Sequence, residues 1–152
     1  MEKIALLIVG ALLGGIIGFI SSYSMWKVQM NQNKANIAQG FYLEISSMEN
    51  TIEQYAKVFI APGLGAGPVK IEQPFYSNGL FFDCRKEIFS FYKDLSKTIF
   101  EFYTCLLVAE RDRQIGKTDK FFVPANDEMK NSIKKAHELL PKLKALLKNE
   151  FS

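Results

Sequence analysis

Between Lys3 and Lys27 the chain carries no charged residue, and Ile4 to Ile20 is unbroken apolar or Gly. Ser21, Ser22, Tyr23, Ser24, Met25 and Trp26 complete the uncharged run over residues 4–26. As a helix rising 1.5 Å per residue, such a run reaches roughly 35 Å. That spans the ~30 Å hydrocarbon core of a bilayer with some tilt. Tyr23 and Trp26 close the run at one end, where amphipathic rings favour the membrane–water interface. Lys3 and Lys27 bracket it and can snorkel to headgroups. The expected interface set is therefore Lys3, Tyr23, Trp26 and Lys27. A cleaved signal peptide is the competing reading, with Lys3 as its basic end and Ser22-Tyr23-Ser24 as a loose small-x-small cleavage site. The 17 residues of Ile4 to Ile20 exceed the apolar core of about 7–15 residues usual for signals. The expectation is a retained single span, with membrane lipid as a partner.

Within the run, Gly10, Gly14 and Gly18 recur every fourth residue, and Ser22 extends the series. Residues four apart lie on one helical stripe. Small residues there let two backbones approach closely, which drives association in lipid. Gly15 and Ala11 widen the smooth face. A helix–helix docking stripe of Gly10, Gly14, Gly15, Gly18 and Ser22 is expected, in the manner of a glycine zipper. Its partner is a membrane protein or a second copy of the chain. The competing reading is that Gly is simply frequent in membrane helices. Lys27 and Lys34 follow the span with no acid before Glu44, whereas Lys3 is offset by Glu2. The positive-inside rule thus favours the N-terminus outside and the C-terminal domain in the cytoplasm.

Residues 27–152, about 125 in number, suffice for one domain with a real core. Ile37, Phe41, Ile45, Met48, Ile52, Tyr55 and Phe59 step by three and four, an amphipathic helical stripe. With no Pro or Gly in 27–36, span and stripe can form one rod from Ile4 to about Phe59, its core face starting about one turn past the membrane. Gly40 inside it suggests close packing. Residues 61–79, with three Pro and four Gly, read as a long irregular connection. The Gly63–Gly67 stretch is no phosphate loop, because no strand precedes it and Pro68 follows it.

Residues 80–115 read as the most apolar helix of the domain. Phe81, Cys84, Ile88, Phe91, Leu95, Ile99, Phe102, Leu106 and Ala109 make one stripe. Phe89, Tyr92, Phe100, Tyr103 and Leu107 make a second, with room for a kink near Ser90. A helix apolar on two faces is expected to be central. Glu110-Arg111-Asp112-Arg113 reads as solvated, and Gly116 as a stop. After a second loop, Asn126 reads as an N-cap with Asp127 and Glu128 in the first turn. The last helix runs to about Asn149 on a stripe of Met129, Ile133, Ala136, Leu140, Leu143 and Leu147. Pro141 predicts a kink or break after Leu140. Its lysines read as a solvated face, or as a contact for anionic lipid or an acidic partner. The fold class is therefore all-α: a single N-terminal transmembrane helix, 1–26, continuing into a small antiparallel bundle of about three long helices. Those helices are 27–60, 80–115 and 126–149.

Chemistry is scarce. His137 is the only His; a di-iron bundle site needs Glu-x-x-His, and Lys134 stands where Glu would be. Cys84 and Cys105, on one straight helix, would lie ~30 Å apart, beyond the ~7 Å a disulfide tolerates. No Ser-His-Asp, Cys-His or dinucleotide-binding arrangement is present, so no catalytic, cofactor or metal residue is expected. A net charge of +3 is too small and too dispersed for a nucleic-acid face. A span free of ionisable groups excludes a monomeric transporter. Thirteen Phe and six Tyr predict a filled core or a partner interface.

The layout resembles that of small prokaryotic membrane proteins with a Gly-rich N-terminal span and an aromatic-rich helical domain. That resemblance is architectural and implies no activity. The expected function is non-enzymatic: an accessory or regulatory subunit of a larger membrane complex, docked through the glycine face. The alternative is a self-assembling membrane protein, of the kind that forms holin-like pores.

Overall fold

A computed structural model describes residues 2–60, 79–118 and 127–152, with side chains described over 10–57, 79–114 and 127–152. These residues are helical apart from short turns, and no strand occurs among them. Helix α1 runs unbroken over Glu2–Ile60, α2 over Leu80–Asp83, α3 over Lys93–Thr118 and α4 over Asp127–Phe151. A 3₁₀ turn, Glu87–Ser90, lies between α2 and α3. The loops expected at 61–79 and 117–125, the Asn126 cap and the Phe59 side chain fall wholly or mostly outside the described residues.

The 59 residues of α1 make a rod of roughly 88 Å. Only its second half joins the core. Ala38, Phe41, Ile45, Ile52 and Ala56 are buried, with Ile37, Met48 and Tyr55 half-buried beside them. The core face begins at Ile37 and Ala38, not one turn past Trp26. Between them the helix crosses roughly 16–18 Å with every residue of 27–33 exposed. KVQMNQN supplies too few apolar residues to attract a neighbouring helix.

The expected 80–115 helix is broken. After α2 the backbone leaves the helical region, and Phe91 is extended (φ −76°, ψ 166°). The break lets Phe81, Ile88 and Phe91 all reach the core, while Phe89 and Tyr92 are expelled to 75% and 74% exposure. The proposed second stripe therefore survives only from Phe100 onward, with Tyr103 buried and Phe100 and Leu107 half-buried. Ser96 closes the elbow: its hydroxyl donates to the Ile88 carbonyl at 2.8 Å, with the Tyr92 carbonyl 3.1 Å away. A serine that satisfies backbone acceptors lets the chain leave the helix without orphaned carbonyls.

Directions follow from contacts. Lys144 meets Glu49 and Phe151 meets Tyr42, so α4 runs antiparallel to α1. Arg111 meets Glu128 and Lys135 faces Cys105, so α4 is also antiparallel to α3. Lys34 lies on Tyr92 and Phe41 on Tyr103; α1 and α3 therefore run the same way. Simple alternation fails: α1 ends at Ile60, at one end of the core, whereas α3 begins after Tyr92, which meets Lys34 at the other. The backbone of α4 packs closely on both α1 and α3, so the most amphipathic helix, rather than the most apolar one, sits between the other two. It runs through Pro141 without a break, Pro141 lying on its exposed face. α3 likewise continues through Gly116 to Thr118.

Phe81 sits at the centre of an aromatic cluster. It stacks on Tyr103 at 4.6 Å and meets Phe100 edge-on at 5.6 Å, while Tyr103 meets Phe41 at 5.9 Å and Phe102 at 5.4 Å. Such pairs add roughly 0.5–1.5 kcal/mol each beyond area burial. A β-carbon placed on Gly40 would lie 2.8 Å from Leu80 Cδ2. The glycine thus admits α2 against α1, as its place in the stripe suggested.

Candidate functional site

From Gly10 to Asn33 every residue of α1 is exposed. None of the most apolar 18-residue window is buried, unlike a core helix of similar composition. Leu12, Leu13, Ile16, Ile17, Phe19 and Ile20 are each more than half exposed. Monomeric soluble domains rarely leave so long an apolar surface in water. By length and composition this helix could cross a membrane.

Among the described residues, nothing beyond the helix's own backbone lies within 4 Å of a β-carbon built on Gly10, Gly14, Gly15 or Gly18. Ser22 and Lys27 are exposed as well. The helix therefore presents the small-residue face outward, clear of the other described residues. Tyr23 and Trp26 pair with ring centroids 6.0 Å apart and planes tilted by 35°. Lys3 lies within α1; its side chain is not among those described.

Where the domain starts, Lys34 places its ammonium 5.2 Å from the Tyr92 ring centroid and 5.9 Å from that of Phe91. This fastens the elbow to the rod just past its bare segment, since a cation over a ring face is attracted by the ring quadrupole. One level deeper, the Glu44 carboxylate accepts the Leu80 N–H at 3.0 Å. Burial pushes the Glu44 carboxyl above its ordinary value; the bonds from Leu80 and Tyr103 pull it partly back, and Asp83 adds to the rise. The folded state therefore holds this proton to higher pH than the unfolded chain. Stability from Glu44 is greatest below the ordinary carboxylate value of 4.5. It falls as pH rises through the window up to the raised value. Glu44→Gln keeps an acceptor for Leu80, so the variant should lose this pH slope while α2 stays docked. Urea unfolding midpoints measured across that pH range check it.

Within the charged run of α3 only Arg111 is solvated, with 55% of its side chain exposed. Glu110 and Arg113 expose only 10% and 8% of their side chains, and Asp112 only 5%. Arg113 Nε donates to Glu110 at 2.7 Å, and a second guanidinium nitrogen closes a bidentate pair. Gln114 adds a bond to Glu110 at 3.1 Å. Arg111 bridges Asp112 at 2.9 Å and Glu128 of α4 at 3.2 Å. Each of Arg113 and Arg111 is held more firmly charged by its carboxylate partners. The spacing from Glu110 to Arg113 is an ordinary helical i,i+3 pair; burial by neighbouring elements is what the sequence could not reveal.

Between α3 and α4 a shallow groove of about 540 Å³ is lined by Thr104, Cys105, Val108, Glu128, Asn131, Ser132 and Lys135. Burial pushes the Cys105 thiol up despite Lys135, and burial with nearby acids does the same to Cys84. Both thiols are free and neither is poised as a thiolate nucleophile. His137 is half-buried on α4. Among the described residues no three His, Cys, Asp or Glu side chains gather as metal ligands. Fold and site together define an all-helical protein with a candidate N-terminal span. No family model, curated protein or solved structure matches the chain.

Proposed function

We propose that the chain is a single-pass membrane protein whose α1 both anchors the helical domain and docks into a larger membrane complex as an accessory or regulatory subunit. The single observation that supports it most is the uncovered half of α1, apolar around its girth and smooth along Gly10, Gly14, Gly18 and Ser22. Large side chains on the remaining faces suit lipid tails. Residues at i and i+4 on a straight helix form a row inclined to the axis, so a partner following the glycines crosses at about −40°, the geometry of small-xxx-small pairs. The charge pattern after the span favours the helical domain on the cytoplasmic side. No catalysis is proposed.

Purification in mild detergent through a C-terminal tag, followed by native gels and mass spectrometry, tests this reading. A co-purifying membrane subunit is expected. The paired substitutions Gly14→Ile and Gly18→Ile should strip that partner away while the chain stays in the membrane fraction. Migration solely as a monomer, or an N-terminus found processed near residue 24, defeats the proposal.

The same bare glycine face suits a second copy of the chain. In that reading, a Gly14→Cys variant forms disulfide dimers in vesicles containing no other protein. Efficient crosslinking there favours a homo-oligomer over a hetero-complex.

A further inference from the structure

We propose that the elbow between α2 and α3 is a second membrane contact, in which Tyr92 and Phe89, with the basic residues Arg85, Lys86 and Lys93, rest on the anionic headgroup layer beside the point where α1 leaves the bilayer. The proposal rests on the anchoring reading above. Its own support is independent of the glycine face.

Position comes first. Lys34 lies eight residues beyond Trp26 on an unbroken helix, or about 12 Å along its axis. Helical side chains lean toward the N-terminus, so the Lys34 ammonium sits nearer the bilayer than its own Cα. The Tyr92 ring is 5.2 Å from that ammonium. This puts the Tyr92 ring on the order of 10 Å above the level of Trp26. A headgroup zone is about 5–8 Å deep on each side, and a helix tilt of about 20° lowers one side of the domain further. By contrast Tyr42, which holds the far end of α4 through Phe151, is two turns higher on α1.

Exposure and chemistry come next. Phe89 and Tyr92 are the most exposed large apolar residues of the described domain, at 75% and 74%. They stand three residues apart in a turn whose third aromatic, Phe91, is buried, and Phe89 leans on Phe100 of α3 at 5.4 Å. Their contacts with Lys34 and Phe100 hold one side of each ring and leave most of its surface in water. Amphipathic rings beside cations are what interfacial anchors require. Arg85, Lys86, Lys93 and Lys97 are all exposed, and Lys27 and Lys34 add charge from α1. The acids Asp83, Glu87 and Asp94 cancel Arg85, Lys86 and Lys93 one for one, so the net positive charge at the elbow comes from Lys97, Lys27 and Lys34. Two tethering points, the span and the elbow, would fix the tilt and rotation of the domain on the surface.

The test uses the full chain reconstituted in phosphatidylcholine vesicles with a minority of phosphatidylglycerol. In a Trp26→Phe background, Tyr92→Trp supplies a single fluorophore, and Phe89→Trp supplies a second, independent one. Lipids brominated near the headgroup end of their acyl chains should quench both probes and shift their emission to the blue. Adding Arg85→Glu and Lys86→Glu, or omitting the anionic lipid, should reduce that quenching by at least about twofold. Quenching of native Trp26 with neither elbow probe quenched overturns this inference and leaves the anchor reading intact. Blue-shifted but unquenched elbow probes overturn it in favour of contact with a second copy. Unquenched Trp26 defeats the anchoring reading itself.

Discussion

The double substitution Leu13→Arg with Ile16→Arg is expected to move the chain from the carbonate-resistant membrane fraction to the soluble or aggregated one. Both side chains are 55% exposed and near the middle of the apolar segment. At a helix centre an arginine disfavours insertion by about 2.5–3.5 kcal/mol, where a leucine or isoleucine favours it by about 0.3–0.6. Two exchanges therefore remove roughly 6–8 kcal/mol of insertion free energy, more than the remaining apolar residues can offset. A single Ile16→Arg should give a partial loss. The helical domain should unfold at an unchanged temperature, because neither residue belongs to its core. Full membrane retention of the double variant would mean that something other than this helix holds the chain there.

Glu110→Ala is expected to be the most damaging change within the domain. It leaves the Arg113 guanidinium, with 8% of its side chain exposed, without its carboxylate. Removing one partner of a buried pair costs about 3–5 kcal/mol, because the remaining charge stays desolvated. An exposed i,i+3 pair would cost under about 1 kcal/mol, so the measurement separates the buried cluster from the solvated one. For a domain of this size the buried case lowers Tm by roughly 10 °C or more. A Glu110→Met, Arg113→Met pair should recover much of the loss, since apolar replacement of a whole buried pair is often neutral. Thermal unfolding of the full chain in micelles, followed by circular dichroism, reads both variants. In the same run Arg111 bridges Asp112 and Glu128 of α4, so the same loss should loosen the junction of α3 with α4.

Several elements were legible because a single helix carries its own pattern. The stripe from Ile37 to Phe59 names residues buried at Phe41, Ile45 and Ile52 and half-buried at Ile37, Met48 and Tyr55, and that from Met129 to Leu147 is buried throughout. Each face is set by a period of 3.6 residues, and no partner is needed to see it. The elbow was legible only as room for a kink near Ser90. Residues 80–115 fit helical spacing throughout, yet the chain breaks at Phe91. Burying Phe81 against Tyr103 and Phe41 while reversing toward α3 outweighs three turns of local helix. The FSFY sequence gives only a weak hint, since aromatic residues are moderate helix formers and Ser90 and Ser96 can bond backbone carbonyls locally. Glu110 and Arg113 failed for another reason: four consecutive charges look solvated unless the surrounding elements are known to enclose them.

What the sequence determined by itself is the bare half of α1. An uncharged run, its aromatic edge and its glycine register are local properties, and they need no other part of the chain to exist. The tertiary structure decided where the domain sits relative to that run. It starts the core at Ile37 and Ala38, and it sets α3 parallel to α1. It also brings Tyr92 down to Lys34 and closes Arg113 over Glu110. These are outcomes of packing between segments far apart in sequence. Burial and reach are fixed by which surfaces meet, and helical periodicity supplies the surfaces without choosing among their pairings.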